Sequence, residues 1–386
     1  MPGYAVWSRK FLGILFLLVL LGGGVVAWRE RTSLLSWFYI RNLANSTDAN
    51  RSRWVGRVAN LGEAALPGLF ECLAQPDPRV CANARAALEY LAHLWGETDA
   101  RTVDLAARLA REYPRFSPAG QKQTVELAVT WFRKPVDKLD GLASACAPLI
   151  GASASVDDEE VLAGALELCA LLLNRPADPD SPQTARPLDP ARRLIAAALH
   201  AHTIDNRMQA VRLTLSPGMT EVLEEAATLL GDESPLVRRA ALVAVAEARD
   251  IVHDDQLLPC LHDTDPEIRR LCEQVLIARG LRREYIELGR LLTDAKPSKR
   301  LQVLDRLRES TELDPGLWLR RLSHDPSPSV RVAAIRAMTQ QSFVDLSERI
   351  DDMARNDATP TVRQLARYYL NGPHRRPSAP ASLPPR

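Results

Sequence analysis

The sequence is poor in aromatic residues and carries almost no excess charge. Aromatic side chains make up 5% of the 386 residues, which is low for a β-sandwich or β-barrel. The 49 basic residues are nearly balanced by 48 acidic ones, for a net charge of +1, so overall charge does not favour nucleic-acid binding. Six of the basic residues are lysine, and this arginine bias suggests a GC-rich bacterial coding sequence.

The short motifs that accompany common catalytic and metal sites are also missing. The sequence contains no G-x-S-x-G, no Walker phosphate loop and no G-x-G-x-x-G. The six cysteines include no C-x-x-C pair, and the seven histidines show no ligand spacing. His200 and His202 would point about 200° apart on a helix. We therefore predict a protein that is not an enzyme, without metal, cofactor or small-molecule substrate.

An apolar run near the start of the chain is the first positive feature. Phe11–Trp28 contains no charged residue, and as a helix it would span about 27 Å, near the thickness of the hydrocarbon core. The leading interpretation is one transmembrane helix over 11–28; the alternatives are a signal peptide cleaved after Ala27 and a buried core helix. Aromatic residues flank the run, as at membrane interfaces: Tyr4, Trp7, Trp28, Trp37, Phe38 and Tyr39.

The numbers of basic residues on the two sides of the run are nearly equal, so they do not determine its orientation. Arg9 and Lys10 precede it, and Arg29, Arg31 and Arg41 follow it. A short tail followed by a long domain usually behaves as a signal anchor, because long domains are translocated largely regardless of charge. We therefore predict a single-pass protein of the cytoplasmic (inner) membrane, with its main domain on the extracytoplasmic side.

An internal repeat is the strongest signal in the sequence. Five segments share the pattern D-x-x-P-x-x-R, and successive copies are separated by 31, 31, 31 and 32 residues. The repeated acidic residues are Asp232, Asp263, Asp294, Asp325 and Asp357. The repeated basic residues are Arg238, Arg269, Arg300, Arg331 and Arg363. An earlier copy, Gln75–Cys81, keeps the proline and loses both charges.

A proline at a fixed place predicts where a helix begins in each copy. The prolines are Pro78, Pro235, Pro266, Pro297, Pro328 and Pro360. Proline is tolerated at the first helical position, and the preceding residue is a good N-cap in five of the six copies. Apolar residues then recur at spacings of four, with a small residue in the middle, which predicts one buried helical face. Each repeat is thus predicted to be a helix, a short turn and a second helix.

These residues resemble the HEAT-repeat family in its short bacterial form, to which phycobilisome-lyase HEAT-like proteins are similar. The resemblance rests on D-x-x-P-x-V-R followed by small residues, and a 31-residue period matches the short type only. It is firm over about 217–372 and good over about 54–95. The resemblance implies an all-α solenoid, a right-handed superhelix of antiparallel helix pairs, preceded here by the transmembrane helix. It also implies that the repeated Asp and Arg tie one turn to its neighbour.

The predicted layout follows from these features and from two proline-rich segments. Between the recognisable copies, Gln75 and Asp232 are 157 residues apart, about five steps of the repeat, which would fit degenerate hairpins in phase. The predicted parts are a tail (1–10), the transmembrane helix (11–28), a juxtamembrane helix (29–53), N-terminal hairpins (54–174), a Pro-rich loop (175–190), C-terminal repeats (191–372) and a disordered Pro/Arg tail (373–386).

The cysteines fit the core of such hairpins. Cys72 and Cys260 occupy one repeat slot that elsewhere holds leucine or alanine, and Cys272 occupies the small-residue slot, so small buried side chains are expected. If the domain is exported, Cys72 and Cys81 are the pair to test for a disulfide, because both lie in one predicted hairpin.

The predicted function is a membrane-anchored scaffold or adaptor that binds a protein partner through the concave surface of the solenoid. The bilayer is the other expected partner, through Phe11–Trp28, and nucleic acid is not expected. The resemblance leaves two alternatives, a lyase-like protein that handles a tetrapyrrole and a nucleic-acid-binding HEAT-like protein. Four arginines predicted to face outward on the second helices would suit an acidic partner, unless they are ordinary solvated residues: Arg239, Arg270, Arg336 and Arg367.

Overall fold

The computed structural model describes residues 31–133, 139–175, 188–309, 313–340 and 346–371, without the side chains of 31–34. Within these ranges the chain forms twenty α-helices and no β-strand, so the predicted all-α class is confirmed there. No described helix is both long and apolar enough to cross a bilayer. The predicted transmembrane helix Phe11–Trp28 and both predicted tails lie outside the described residues.

The chain divides into two compact units, Met1–Ala244 and Val245–Arg386. The helices that begin in the first unit are α1 (Arg31–Ala44), α2 (Asp48–Ala59), α3 (Leu66–Ala74), α4 (Pro78–Trp95), α5 (Ala100–Glu112), α6 (Pro118–Arg133), α7 (Asp140–Ser153), α8 (Glu159–Leu173), α9 (Leu188–Leu199), α10 (Ile204–Leu213), α11 (Thr220–Ala227) and α12 (Pro235–Val245). They form hairpins in which odd-numbered helices come first. Second helices pack on one another in the order α2, α4, α6, α8 and α10, and first helices do so from α5 to α11.

The second unit repeats this arrangement. Its helices are α13 (Asp254–Leu257), α14 (Pro266–Ala278), α15 (Arg283–Leu292), α16 (Pro297–Glu309), α17 (Pro315–Leu322), α18 (Pro328–Gln340), α19 (Ser347–Asn356) and α20 (Pro360–Asn371). Each first helix contacts its own second helix, and α16, α18 and α20 pack in succession. One continuous core runs through this unit from Leu288 to Ala366 and includes the buried Trp318. Successive hairpins therefore share their apolar faces, as in a repeat array.

The repeat slots explain where this core lies. Each of the six repeated prolines is the first residue of a helix. The small residue six positions later is at most 1% exposed in every copy: Ala84, Ala241, Cys272, Val303, Ala334 and Ala366. The apolar slot two after the proline is buried except in one copy, where Lys299 occupies it and is exposed. Small side chains at the centre of the face permit close approach of neighbouring helices.

Three boundaries differ from the sequence-based layout. Residues 29–53, predicted as one helix, hold parts of two, because α1 ends at Ala44 and the Thr47 N–H donates to Asn50 Oδ1 at 2.9 Å at the start of α2. Helix α9 begins at Leu188, inside the predicted loop 175–190, with Pro190 in its first turn. The Pro-rich loop does not separate the two units, because α9 packs on α7 and α8; residues 176–187 of that loop lie outside the described residues.

Candidate functional site

The repeated Asp and Arg build the turn inside each hairpin. In all five copies the Asp Oδ1 accepts the N–H two residues later at 2.7–2.8 Å. The Arg Nη1 donates to the carbonyl of its own Asp at 2.5–2.8 Å and to the next carbonyl at 2.9–3.1 Å. One guanidinium carries five donors, so it satisfies two turn carbonyls and keeps donors for another partner.

Those remaining donors join consecutive hairpins of the second unit. Arg300 donates to Asp325 of the next turn through Nε (2.6 Å) and Nη2 (2.9 Å), and the two side chains are 9% and 3% exposed. Arg331 donates to Asp357 in the same way, at 2.8 and 2.9 Å. This two-point geometry is the strong form of an arginine–carboxylate contact. It joins the turns of two neighbouring hairpins.

Arg207 plays the same part in a copy that the sequence pattern did not single out. It lies 31 residues before Arg238, but Ala201 stands where the repeat would place its Asp. Its Nη1 donates to the carbonyls of Ala201 and His202, both at 2.9 Å. Nη2 donates to Asp232 Oδ1 at 3.1 Å, and Nε lies 2.8 Å from Oδ2. Only its spacing from the next arginine could have revealed this copy.

Arg279 is a second buried arginine that lies outside the repeated pattern. Its side chain is 3% exposed and contacts Asp254 at 3.1 Å. The guanidinium also donates to the carbonyls of Val245, Ala246 and Val252 at 2.5–2.8 Å. These contacts hold the end of one helix and the following turn within the second unit. The role of Arg279 is structural, and no repeated slot marks it in the sequence.

The four arginines predicted to form a stripe lie on second helices and are all exposed. Arg239 and Arg270 are four residues after the proline that begins their helix, Arg336 is eight after and Arg367 seven after. At about 100° per residue these positions fall within an arc of about 100°. Arg367 also donates through Nε to Ala354 O at 3.1 Å. Arg239 belongs to the first unit and the other three belong to the second.

The cysteines are six buried free thiols. Cys72 and Cys81, the pair singled out for a disulfide test, are not bonded to each other. Burial raises the pKa of Cys72 to about 11 and that of Cys169 to about 12, and a protonated, buried thiol is a poor nucleophile. Cys81 instead donates to Gln75 O at 3.2 Å, the carbonyl that an arginine takes in the regular turns.

One groove of the first unit is lined by charged residues of both signs. This groove has a volume of about 610 Å³ and runs along α3 and α5. Its arginines Arg108 and Arg115 already contact the acidic residues Asp104 (2.6 Å) and Glu112 (2.8 Å), so charges of both signs line it in pairs. Across the described ranges, no three His, Cys, Asp or Glu side chains are grouped to hold a metal ion.

Comparisons with known proteins gave only distant structural likenesses. No family model and no curated protein matches the sequence. Importin β is similar at 13% identity over 86% of this chain and 52% of that chain, with a TM-score of 0.47. She4p is similar at 13% identity (88% and 56%, TM-score 0.26), and arrays of tumor overexpressed gene domains from microtubule polymerases at 11% (86% and 86%, TM-score 0.23). The chain spans about half the length of the first two.

Proposed function

We propose that this chain is a membrane-anchored HEAT-like scaffold that binds a protein partner through the second helices of its hairpins. A stack of helix pairs offers a long surface of side chains in place of an enclosed pocket. One observation carries the proposal. The repeated Asp and Arg residues are engaged in the turns, whereas Arg239, Arg270 and Arg336 are exposed on second helices.

The chemistry of these exposed residues favours an acidic partner surface. Arginine presents a planar fork that matches a carboxylate at two points. Several arginines on the same arc of their second helices would accelerate encounter with an acidic protein and would oppose a basic one. The partner proposed here is therefore a protein with a row of exposed Asp or Glu side chains.

The membrane attachment is proposed from the sequence of Phe11–Trp28, with the helical units on the extracytoplasmic side of the inner membrane. Protease treatment of intact spheroplasts tests the side. Digestion of the helical units without lysis is the expected result, and protection until lysis would place them in the cytoplasm instead.

Partner binding is tested by cross-linking and affinity capture from native membranes. The test variant is R270E/R336E, which reverses two charges on second helices of the second unit. The matched control is R283E/R320E, which reverses two exposed arginines on first helices of the same unit. Like charges placed opposite each other cost several kcal/mol, so we expect the test variant to lose at least about tenfold in recovered partner and the control to match wild type.

Two outcomes would overturn the proposal. One is that wild-type protein recovers no protein reproducibly; the other is that both variants lose the partner equally while circular dichroism stays unchanged. The tetrapyrrole-handling and nucleic-acid-binding alternatives stay predictions of the resemblance. Bound pigment after incubation with bilins would favour the first, and salt-sensitive retention on DNA would favour the second.

A further inference from the structure

The helices α1 and α2 expose a contiguous aromatic surface. Trp37 and Phe38 are 59% and 49% exposed, which is unusual for side chains of this size. The Phe38 ring lies 5.8 Å from the Tyr39 ring, and the Trp54 ring lies 6.3 Å from each of them. The rings of Phe38, Tyr39 and Trp54 are thus gathered on one small part of the first unit, and Trp37 is the neighbour of Phe38 in the sequence.

This surface is not an unfilled part of the core, because α1 already packs through its other side. Ile40 and Leu43 are 8% and 1% exposed. Ser36 Oγ donates to Ala64 O at 3.2 Å, and Asn83 Nδ2 donates to Leu43 O at 3.0 Å. The helix is therefore fixed to the first unit by one face, and the aromatic face remains open to an external partner.

Cations lie over the aromatic rings. The Arg41 guanidinium is 5.2 Å from the centre of the Trp37 ring, and that of Arg57 is 4.9 Å from the centre of the Trp54 ring. Arg53, which directly precedes Trp54 in the sequence, is also exposed. Residues 31–59 hold five arginines and one acidic residue, a net charge of +4, whereas the whole chain carries +1. The rest of the chain therefore carries −3, and the positive charge is concentrated in this hairpin.

We propose that this α1–α2 patch lies on the surface of an anionic phospholipid bilayer. The patch consists of Trp37, Phe38, Tyr39, Trp54, Arg41, Arg53 and Arg57. Tryptophan and tyrosine prefer the depth of the lipid headgroups, and arginine binds phosphate oxygens at two points. A basic and aromatic helical surface of this kind lies in the plane of the interface.

The position of the patch along the chain supports the same occupant. The apolar run ends at Trp28, and α1 begins at Arg31, so an anchor at Phe11–Trp28 would hold the patch against the membrane that it is proposed to bind. The location thus rests on the proposed anchoring. The charge and the exposed rings do not, and they can be tested apart from it.

The experiment uses the full chain with Leu17→Arg and Leu20→Arg as a background, because two arginines at the centre of the run prevent it from spanning. This background protein is floated with vesicles of phosphatidylcholine, with and without phosphatidylglycerol. We expect flotation only with the anionic lipid. Adding R41E/R53E/R57E should weaken it by about 100-fold or more, and adding W37S/F38S by about tenfold. The matched control, R212E/R283E/R320E, reverses three exposed arginines elsewhere and should float as the background does.

Each other outcome overturns the proposal. Equal flotation on both lipids, equal loss with the control, or no flotation at all would each mean that the patch does not recognise an anionic bilayer. Capture of a protein or of a second copy by the patch, without flotation, would assign it to a different partner. Carbonate extraction of the wild-type chain separates the two proposals. If the wild-type chain resists extraction while the background variant fails to float, the proposed anchor stands and only the proposed lipid-binding patch is overturned.

Discussion

The two units stack most of their hairpins through different residues, although Arg207 in the first unit makes the regular contact with Asp232. In the second unit the contact between turns is made by an arginine at one fixed slot, as Arg300 and Arg331 show. In the first unit Asn83 joins its hairpin to the preceding one by donating to Leu43 O (3.0 Å) and Ser46 O (3.1 Å). Both side chains satisfy backbone carbonyls at a turn. Arg300 satisfies those of its own turn, Asp294 O and Ala295 O, and Asn83 satisfies those of the preceding turn, so the requirement is the same and the residue type is not.

Two further contacts of the first unit extend the contrast. Ser117 Oγ donates to Gln75 O at 2.6 Å, across consecutive turns. Glu159, at the start of α8, accepts from the His202 N–H (2.7 Å), from Thr203 Oγ1 (2.7 Å) and from Asn206 Nδ2 (2.6 Å). Apart from the Arg207 contact, each of these junctions of the first unit is made by a different kind of side chain. The comparison teaches that a repeat architecture needs a satisfied turn at every step, and that only a repeated solution leaves a visible period in the sequence.

The largest effect is expected from breaking the regular solution. Arg300→Leu leaves Asp325 buried at 3% side-chain exposure without its cation, and removing one partner of a buried pair costs about 3–5 kcal/mol. The control, Arg308→Leu, removes a pair with Asp305 that is about two-thirds exposed on both sides, and such pairs contribute about 0–1 kcal/mol. Urea unfolding followed by circular dichroism measures both. Equal losses for the two variants would show that the regular tie is not a stability element.

A smaller loss is expected at a close approach in the first unit. A Cβ on Gly120 would lie 1.9 Å from the backbone oxygen of Leu73, so Gly120→Ala must push α6 away from the end of α3. Overpacking of this kind costs about 1–3 kcal/mol. Gly56→Ala is the control, because nothing lies within 4 Å of its added methyl group and alanine favours a helix. The free energy of unfolding should fall for Gly120→Ala and stay level or rise for Gly56→Ala. A Gly120→Ala protein as stable as wild type would mean that the helices can move apart at this contact without a measurable cost.

The regular repeats were predictable because one residue type recurs at one spacing. The prolines that begin α4, α12 and α14 lie where the pattern placed them. Arg207 escaped notice, since it is the only member of its motif that remains, and the contacts of Asn83 and Glu159 have no counterpart at other steps. The outward stripe could be placed on second helices, whereas the α1–α2 patch depends on which face of a helix is already packed, and that needs three-dimensional contacts.

Acid should weaken the contacts between hairpins in both units, because one carboxylate in each unit takes part in them. Burial alone would raise the pKa of Asp357, but its bonds to Arg331 and to the Thr359 N–H bring the pKa below its ordinary value. Burial would likewise raise the pKa of Glu159, but its hydrogen bonds to Thr203, His202 and Asn206 outweigh this effect and lower the pKa. A lowered folded pKa stabilises the protein above the unfolded value, about 3.9 for Asp and 4.3 for Glu, and this stability is lost as the pH falls through the folded value.

The measurement is the free energy of unfolding from pH 7 to pH 3 for wild type, Asp357→Asn and Glu159→Gln. Each variant should start from a lower stability at pH 7 and lose less of it on acidification than wild type does. A variant curve parallel to that of wild type would show that its carboxylate has the same pKa in the folded and unfolded chains.

The smallest effect is expected at Gln75 O, because two side chains, Cys81 and Ser117, donate to this one carbonyl oxygen. Cys81 stands in the arginine slot and its thiol donates to Gln75 O at 3.2 Å, but Ser117 donates to that oxygen as well. Cys81→Ala should therefore cost less than about 1 kcal/mol, the low side of a typical hydrogen bond, and Cys81→Ser, which keeps a donor, should cost no more than the alanine variant does. Both are measured by urea unfolding beside Arg300→Leu. A loss for Cys81→Ala as large as that for Arg300→Leu would mean that Ser117 does not replace the Cys81 donor. This turn of the first unit would then depend on one residue, as the turns of the second unit depend on their arginine.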